Sequence, residues 1–323
     1  MAGCLESILA NEYPSDHLEV IIVDGMSTDG TQAIVEATAG VHPNVRLLVN
    51  ARRITPAGLN LGIRASAGAY ILWLSAHNTY APGYIRGCVE AALRYGADNT
   101  GGGITTVARD PTFMAPFVVA ALTHPFGVGP SAFRLERGEP RWVDTVFGGC
   151  YRRDVFERVG LFNESLARGQ DMEFNLRLRR AGLRTLLVPS VHSIYHARSR
   201  FGEFLRHNWM NGAWALLPFL HAEGIPVRLR HLVPLVFTAT LILASLSAAI
   251  VPRTGWLLLV LGVAYGVAAI GAATDVALRQ RRWMYVVAMP FVFLSLHLSY
   301  GLGSCWGGAR VAGVLLRRLA HRT

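Results

Sequence analysis

The chain has 323 residues, is 52% hydrophobic, and carries 31 basic against 21 acidic side chains for a formal net charge of +10. So apolar a composition excludes a disordered chain, and four scattered cysteines at this length exclude a small disulfide-stapled scaffold. Every basic residue is Arg, and the excess is lopsided. Residues 1–223 hold 21 Arg and 20 acids, whereas residues 224–323 hold 10 Arg and one acid, Asp275, so the charge does not mark a nucleic-acid surface.

In chain order, Val20–Val23 reads as a buried strand that ends at Asp24. A glycine-bearing turn, Gly25-Met26-Ser27-Thr28-Asp29-Gly30, leads into a helix that runs to about Ala39, with Ser27 or Asp29 able to cap it. An acid at the carboxyl end of a strand, before such a turn, suits a nucleotide site and equally suits an ordinary capped turn. A second helix starts near Thr55 with Pro56 in its first turn and is stopped by Gly68. Ala69–Leu74 is a second buried strand, leading to Ser75-Ala76-His77-Asn78. The Gly101-Gly102-Gly103 run reads as a flexible loop. Trp142–Phe147 reads as a strand ending at Gly148-Gly149. A short helix follows over Arg153–Val159, then a loop over Gly160–Gly169. A further helix starts at Gln170-Asp171-Met172-Glu173 and stops at Gly182. Leu183–Pro189 is a strand, and Val191–Arg200 carries His192 and His196.

The C-terminal third reads as membrane. Leu232–Val251, Trp256–Thr274 and Trp283–Trp306 are runs without formal charge, and a bilayer core needs about 20 apolar residues in a helix. Pro290 and the glycines at 301, 303, 307 and 308 leave open that the third run is re-entrant. Arg228 and Arg230 precede the first run, and Arg279, Arg281 and Arg282 lie between the second and third. The positive-inside rule therefore expects residues 1–230 in the cytoplasm. The tail, with Arg310, Arg317, Arg318 and Arg322, fits an interfacial helix over 309–322 and leaves its own side undecided. Trp214–Phe219 and the basic residues of 228–231 read as an interfacial collar that would hold the preceding α/β region against the bilayer. The expected layout is residues 1–222 for an α/β domain and 223–323 for a membrane region with about three hydrophobic segments.

Taken together, Val23-Asp24-Gly25-Met26-Ser27-Thr28-Asp29-Gly30-Thr31, Gly58-Leu59-Asn60-Leu61-Gly62, Ser75-Ala76-His77, Asp144–Gly149, Tyr151–Gly160 and Gln170-Asp171-Met172-Glu173-Phe174-Asn175-Leu176-Arg177 resemble the family 2 glycosyltransferases, and within them the ExoA-like branch of succinoglycan-type exopolysaccharide synthesis. The resemblance covers roughly residues 3–215. It implies an α/β, GT-A-like fold, a nucleotide-sugar-binding mixed sheet flanked by helices, followed by a C-terminal transmembrane helical region. It also implies a membrane-anchored inverting glycosyltransferase that moves a sugar from a nucleotide-sugar donor to a lipid-linked or saccharide acceptor in exopolysaccharide or cell-envelope biosynthesis. The partners are then the donor, the acceptor and membrane lipids, with no nucleic acid. A catalytically degraded relative that binds nucleotide sugar or a partner without turnover is the other reading.

The resemblance assigns roles residue by residue. Asp24 stands where the family's nucleotide-binding acid lies, and Asp171 matches the carboxylate that takes the acceptor's proton, although each can also cap the following helix. Glu173 can support Asp171, but reads more readily as a solvated or acceptor-facing helix residue. Arg152 and Arg153 can meet diphosphate or be plain surface charges. The family usually places Asp-x-Asp or, in this branch, Asp-x-His after the strand that ends at Leu74, for a divalent cation, Mn or Mg, on the leaving diphosphate. Here Ser75 takes the first place, so His77 with His196 is the candidate ligand pair, and His192 reads as structural. Arg206-His207-Asn208-Trp209 departs from the Gln-x-x-Arg-Trp signature of processive members, which favours single-sugar addition. The family also opens with an apolar strand and an Asn-Glu turn ahead of the segment matching Cys4–Ile8, so a start further upstream is expected.

Overall fold

The computed structural model describes residues 1–129, 132–135, 138–220 and 229–320. Arg228, Arg322 and the boundary expected at 222/223 lie outside these. The described chain divides into two compact units. One holds Met1–Val107 and Ala132–His196, and the other holds Ala108–Ser131 and Ala197–Thr323.

The first unit begins with α1 (Ala2–Leu9), which buries Cys4, Leu5 and Ile8 at helical spacing. The β-branched run then forms β1 (Val20–Asp24), followed by α2 (Thr31–Ala39), β2 (Val45–Val49), α3 (Thr55–Ala65), β3 (Tyr70–Leu72), β4 (Asn78–Tyr80), α4 (Tyr84–Tyr95) and β5 (Asn99–Ala108). α5 (Ala115–Leu122) and α6 (Pro125–Val128) belong to the other unit, after which α7 (Ala132–Leu135), β6 (Arg141–Val143), β7 (Cys150–Arg152), α8 (Asp154–Val159), α9 (Gln170–Arg180) and β8 (Thr185–Ala197) complete the first.

The expected mixed sheet is present as two hydrogen-bonded pieces. β1 and β2 form a parallel pair, and β3-β7-β5-β8-β4 run side by side with β6 added to β8. The pairs β3–β7, β5–β7, β4–β8 and β6–β8 are antiparallel. Val20 and Val45 of the parallel pair share one apolar core with Cys150, Leu186 and Val188 of the larger sheet and with Cys88 of α4. On the other side, Ile63, Phe156, Phe162, Phe174 and Leu178 pack around Tyr151, with Phe162 and Phe174 stacked at 4.3 Å.

Three local expectations change. Gly101–Gly103 is the middle of β5 and not a loop: a Cβ on Gly101 would sit 2.7 Å from Val146, and one on Gly102 would strike the Val191 carbonyl. The glycines there serve close backbone approach. The strand expected over Trp142–Phe147 is confined to β6, because Gly148 and Gly149 take φ of +72° and +129° and turn the chain. The two segments expected on either side of Pro189 are one strand, β8.

The second unit contains α10 (Phe201–Leu216), α11 (Leu229–Ile250), α12 (Trp256–Gln280) and α13 (Met284–Ala320). α11, α12 and α13 are long and apolar enough to cross a membrane. α13 runs unbroken through Pro290 and its glycines for 37 residues, about 55 Å at 1.5 Å per residue. Residues 309–320, expected as a separate interfacial helix, continue it. The glycines are a packing seam: Gly303 and Gly307 lie against the backbone of Trp209 and Ala213 in α10, and Ser304 Oγ donates to the Gly212 carbonyl at 3.1 Å. Small residues of this kind let helices approach closely. His297 joins three elements, hydrogen-bonding the Tyr265 hydroxyl and the Phe126 carbonyl at 2.9 Å each.

Candidate active site

β1 delivers Asp24 to its carboxyl end, 4% exposed. Its Oδ2 accepts from the Ser27 backbone N–H at 2.9 Å and from Gln32 Nε2 at 2.6 Å. Burial pushes this carboxyl up, but the bonds from Gln32, Ser27 and Met26 outweigh it and hold the group below its ordinary value. Asp24 is therefore ionised and fixes the turn. Beside it, Met26 and Arg53 are non-glycine residues at φ of +61° and +56°, and Arg53 Nη2 lies 3.7 Å from Met26 Sδ. Left-handed conformations at such residues cost about 1–3 kcal/mol and cluster at functional turns.

β3 leads into the tight turn Ser75–His77. The Ser75 N–H donates to the buried Tyr80 hydroxyl at 2.6 Å, and that hydroxyl donates to the Ser75 carbonyl at 3.2 Å. Ser75 Oγ accepts from the His77 N–H at 3.4 Å, so the hydroxyl is turned into its own loop. The β4–β8 register then brings the two expected ligands together: the His196 N–H donates to the His77 carbonyl at 3.0 Å. His196 Nε2 also lies 3.4 Å from Thr79 Oγ1. Among the described residues no group of three or more His, Cys, Asp or Glu is placed to hold a metal. The available donor set is thus two imidazoles, with the rest of any ion's shell left to the ligand. His192 contacts Thr105 Oγ1 at 2.7 Å, in keeping with a structural role.

Asp171 sits in the first turn of α9, after Gly169 at φ +73°. Burial pushes its carboxyl above its ordinary value, and the backbone N–H groups of Met172 and Asp171 offset this in part. Its charge also raises the Tyr151 hydroxyl, after burial, which is the larger cause. Gly148 and Gly149 are crowded positions just ahead of β7. A Cβ on Gly148 would lie 2.6 Å from the Trp73 carbonyl, and one on Gly149 2.7 Å from Asn99 Oδ1. Asn99 Oδ1, Gln170 Oε1 and Asn175 Oδ1 are buried acceptors without a donor among the described residues. Such atoms suit water or a hydroxyl-bearing ligand.

Glu173 departs from expectation. It is 5% exposed and pairs with Arg177 at 2.7 and 2.9 Å. Arg177 also bonds the Val159 and Leu161 carbonyls. Glu173 is therefore neither solvated nor acceptor-facing, because α9 turns it inward to hold the preceding loop. Arg152 and Arg153 are not brought to the site either. Tyr70 pairs with Arg152 and Leu72 with Cys150, so both arginines lie at the end of β3 remote from Ser75. Arg152 is engaged with Asp154 at 2.8 Å and Asp98 at 3.2 Å, and Arg153 with the Gly68 carbonyl and Ser66.

Asn60 is a residue whose role the sequence did not disclose. It is 2% exposed, accepts from the Phe162 N–H at 2.9 Å, and donates to the Phe162 carbonyl at 2.9 Å and to Glu164 Oε1 at 2.8 Å. Arg52 also pairs with Glu164. Helix α3 thereby holds the loop that leads to Asp171. A buried Asn between two glycines, Gly58 and Gly62, was the available signal.

A nucleotide-type turn after β1, a histidine in the turn before β4 beside a second on β8, and a half-buried carboxylate on α9 define an α/β enzyme with a GT-A-like fold. Residues 1–160 match the model of glycosyl transferase family 2. This marks the chain as a glycosyltransferase similar to that family. It is 29% identical over 308 residues to the succinoglycan biosynthesis protein ExoA of Rhizobium meliloti (strain 1021), covering 94% of this chain and 90% of that protein. It is 32% identical over 201 residues to ExoO of the same organism, covering 60% of this chain and 56% of that one. Among solved structures, the mannosyltransferase PcManGT from Pyrobaculum calidifontis, in complex with GDP-Man and Mn2+, matches with a TM-score of 0.53 at 19% identity, covering 94% of this chain and 82% of that chain.

Proposed function

We propose that the protein is a membrane-anchored, inverting glycosyltransferase that moves a sugar from a nucleotide-sugar donor to a lipid-linked or saccharide acceptor in exopolysaccharide or cell-envelope biosynthesis. The observation that carries this is Asp171, a half-buried carboxyl at the start of α9 whose surroundings raise its proton affinity. A carboxylate so raised is a better general base at neutral pH than a solvated one. Asp171 takes the proton of the acceptor hydroxyl while the oxygen attacks the donor's anomeric carbon. The new C–O bond forms on the face opposite the departing nucleotide diphosphate, which leaves with the electron pair of the broken C–O bond. Asp24 and the turn at Met26 hold the nucleotide.

His77 and His196 are the residues that would hold a divalent cation. With no carboxylate grouped with them among the described residues, they suit Mn better than Mg. Such an ion, when bound, would offset charge on the diphosphate. The relatives named for succinoglycan biosynthesis and the mannosyltransferase solved with GDP-Man and Mn2+ support this reading by analogy. Membrane anchoring is supported by α11–α13. The Arg residues around 230 and 279–282 support a cytoplasmic catalytic domain.

The test is a screen of nucleotide sugars with membranes containing the protein and extracted lipid acceptors, with the anomeric configuration of the product read by NMR. Inversion at the transferred sugar is expected, and a retained configuration would overturn the mechanism. The degraded-enzyme reading draws on Ser75, whose hydroxyl is turned toward His77 N–H. Calorimetric binding of nucleotide sugars with no turnover of any donor would favour it.

A further inference from the structure

Arg134 stands out among the cations of the first unit. Arg46 is paired with Glu19, Arg52 with Glu164, Arg152 with Asp98 and Asp154, and Arg177 with Glu173. Arg134, on α7, is half-buried, and among the described residues no carboxylate pairs with it. Its Nη1 donates to Thr106 Oγ1 at 3.0 Å. Its guanidinium lies 5.4 Å from the centre of the Tyr195 ring and 5.6 Å from that of Phe133. A guanidinium offers five N–H donors in a rigid fork, and one hydroxyl occupies one of them. Burial presses the group below its ordinary value, while Tyr195 acts in the other direction. Arg keeps its proton in such settings, so the charge stays and calls for a counter-charge.

The place is informative. Tyr195 precedes His196 in β8 and pairs in register with Asn78, the residue after His77. Its ring also meets Phe147 at 5.9 Å, immediately before Gly148. Successive strand residues project to opposite faces, so the cation over Tyr195 and the imidazole of His196 flank the same end of β8. A planar fork with free N–H groups matches two oxygens of one phosphate better than a point charge does.

We propose that Arg134, steadied by Thr106 and Tyr195, is a subsite for a phosphate group at the His77–His196 end of the sheet. This rests on the glycosyltransferase reading above, in which two phosphates come into question: the diphosphate of the donor and the phosphate of a lipid-linked acceptor. Both present the same oxyanion chemistry to Arg134.

The experiment uses the full chain in detergent or nanodiscs, as wild type, Arg134→Met and Arg134→Lys. One arm measures binding of UDP and GDP against uridine and guanosine. The other measures binding to phosphatidylcholine vesicles with and without a polyprenyl phosphate. Arg134→Met is expected to weaken one arm by at least about tenfold with nucleoside binding and Tm nearly unchanged. Loss in the first arm assigns the donor diphosphate, and loss in the second the acceptor phosphate. Wild-type affinity in both arms overturns the subsite. If Arg134→Met fails to fold, Arg134→Lys decides: weakened phosphate binding supports the subsite, and wild-type affinity marks a packing cation and overturns it. Wild-type protein that binds no phosphate probe would instead count against the glycosyltransferase reading itself.

Discussion

The Asn60 side chain binds the backbone of Phe162 as a strand partner would, accepting from its N–H and donating to its carbonyl, each at 2.9 Å. These two residues are 102 positions apart, and their bond fixes the loop from which Asp171 emerges. Phe162 in turn stacks on Phe174 and meets Trp73 edge-on at 5.7 Å, so the ends of β3 and α9 are set by one contact.

Asn60→Ala leaves both backbone groups of Phe162 buried without partners, at about 1–3 kcal/mol each. The expected outcome is a fall in Tm and a loss of kcat of roughly tenfold or more, because small displacements of a reacting group are costly. Thermal unfolding and transfer kinetics check this. Wild-type kcat in a folded Asn60→Ala protein would remove the loop-positioning role.

Asp171→Asn should separate stability from activity. A carboxyl whose folded value lies above its unfolded one binds its proton more tightly in the folded protein. Its ionisation therefore costs stability as pH rises from the unfolded value through the folded one. The neutral amide avoids that cost, so Asp171→Asn should melt a few degrees higher than wild type at pH 7 and at the same temperature at low pH. In wild type, kcat should fall with decreasing pH through a value above the ordinary carboxylate range. Calorimetry at two pH values and a pH–rate profile measure both effects.

His77→Ala and His196→Ala should each raise the Mn concentration needed for half-maximal activity, by about 10- to 100-fold if both are ligands, with the double variant no worse than the weaker single one. Ser75→Asp adds a carboxylate beside them and should lower that concentration. A metal titration of the five proteins, wild type included, decides, and identical curves for wild type and His196→Ala would exclude His196 as a ligand.

Glu173→Gln breaks a buried pair and should cost roughly 3 kcal/mol, lowering the denaturant midpoint while donor binding to the folded protein persists. A variant as stable as wild type would show that Arg177 is held by the Val159 and Leu161 carbonyls alone.

Much of the catalytic unit was legible because its signals are local. The β-branched run ending at Asp24, the glycine stops and the polar start of α9 declare themselves within a few residues. β5 was not legible: its three glycines imitate a loop, and only the tertiary contact with Val146 and Val191 explains them. The burial of Glu173 was hidden for a related reason: its partner Arg177 stands four residues on in α9, but the Leu161 carbonyl that Arg177 also holds, like the Asp98 carboxylate that meets Arg152, is brought there by folding. The grouping of residues 108–131 with the apolar helices was hidden likewise, since contacts such as His124 with Asp275 at 3.1 Å join segments far apart in sequence.

The central claim is that Asp171 is the base of a sugar transfer. The direct measurement is release of nucleoside diphosphate coupled to glycosylated product, from membranes carrying wild type or Asp171→Asn, with donor affinity measured on the same preparations. The account predicts that Asp171→Asn binds donor as wild type does and loses transfer by at least about a hundredfold. Transfer within a few fold of wild type, at equal protein level, would contradict it.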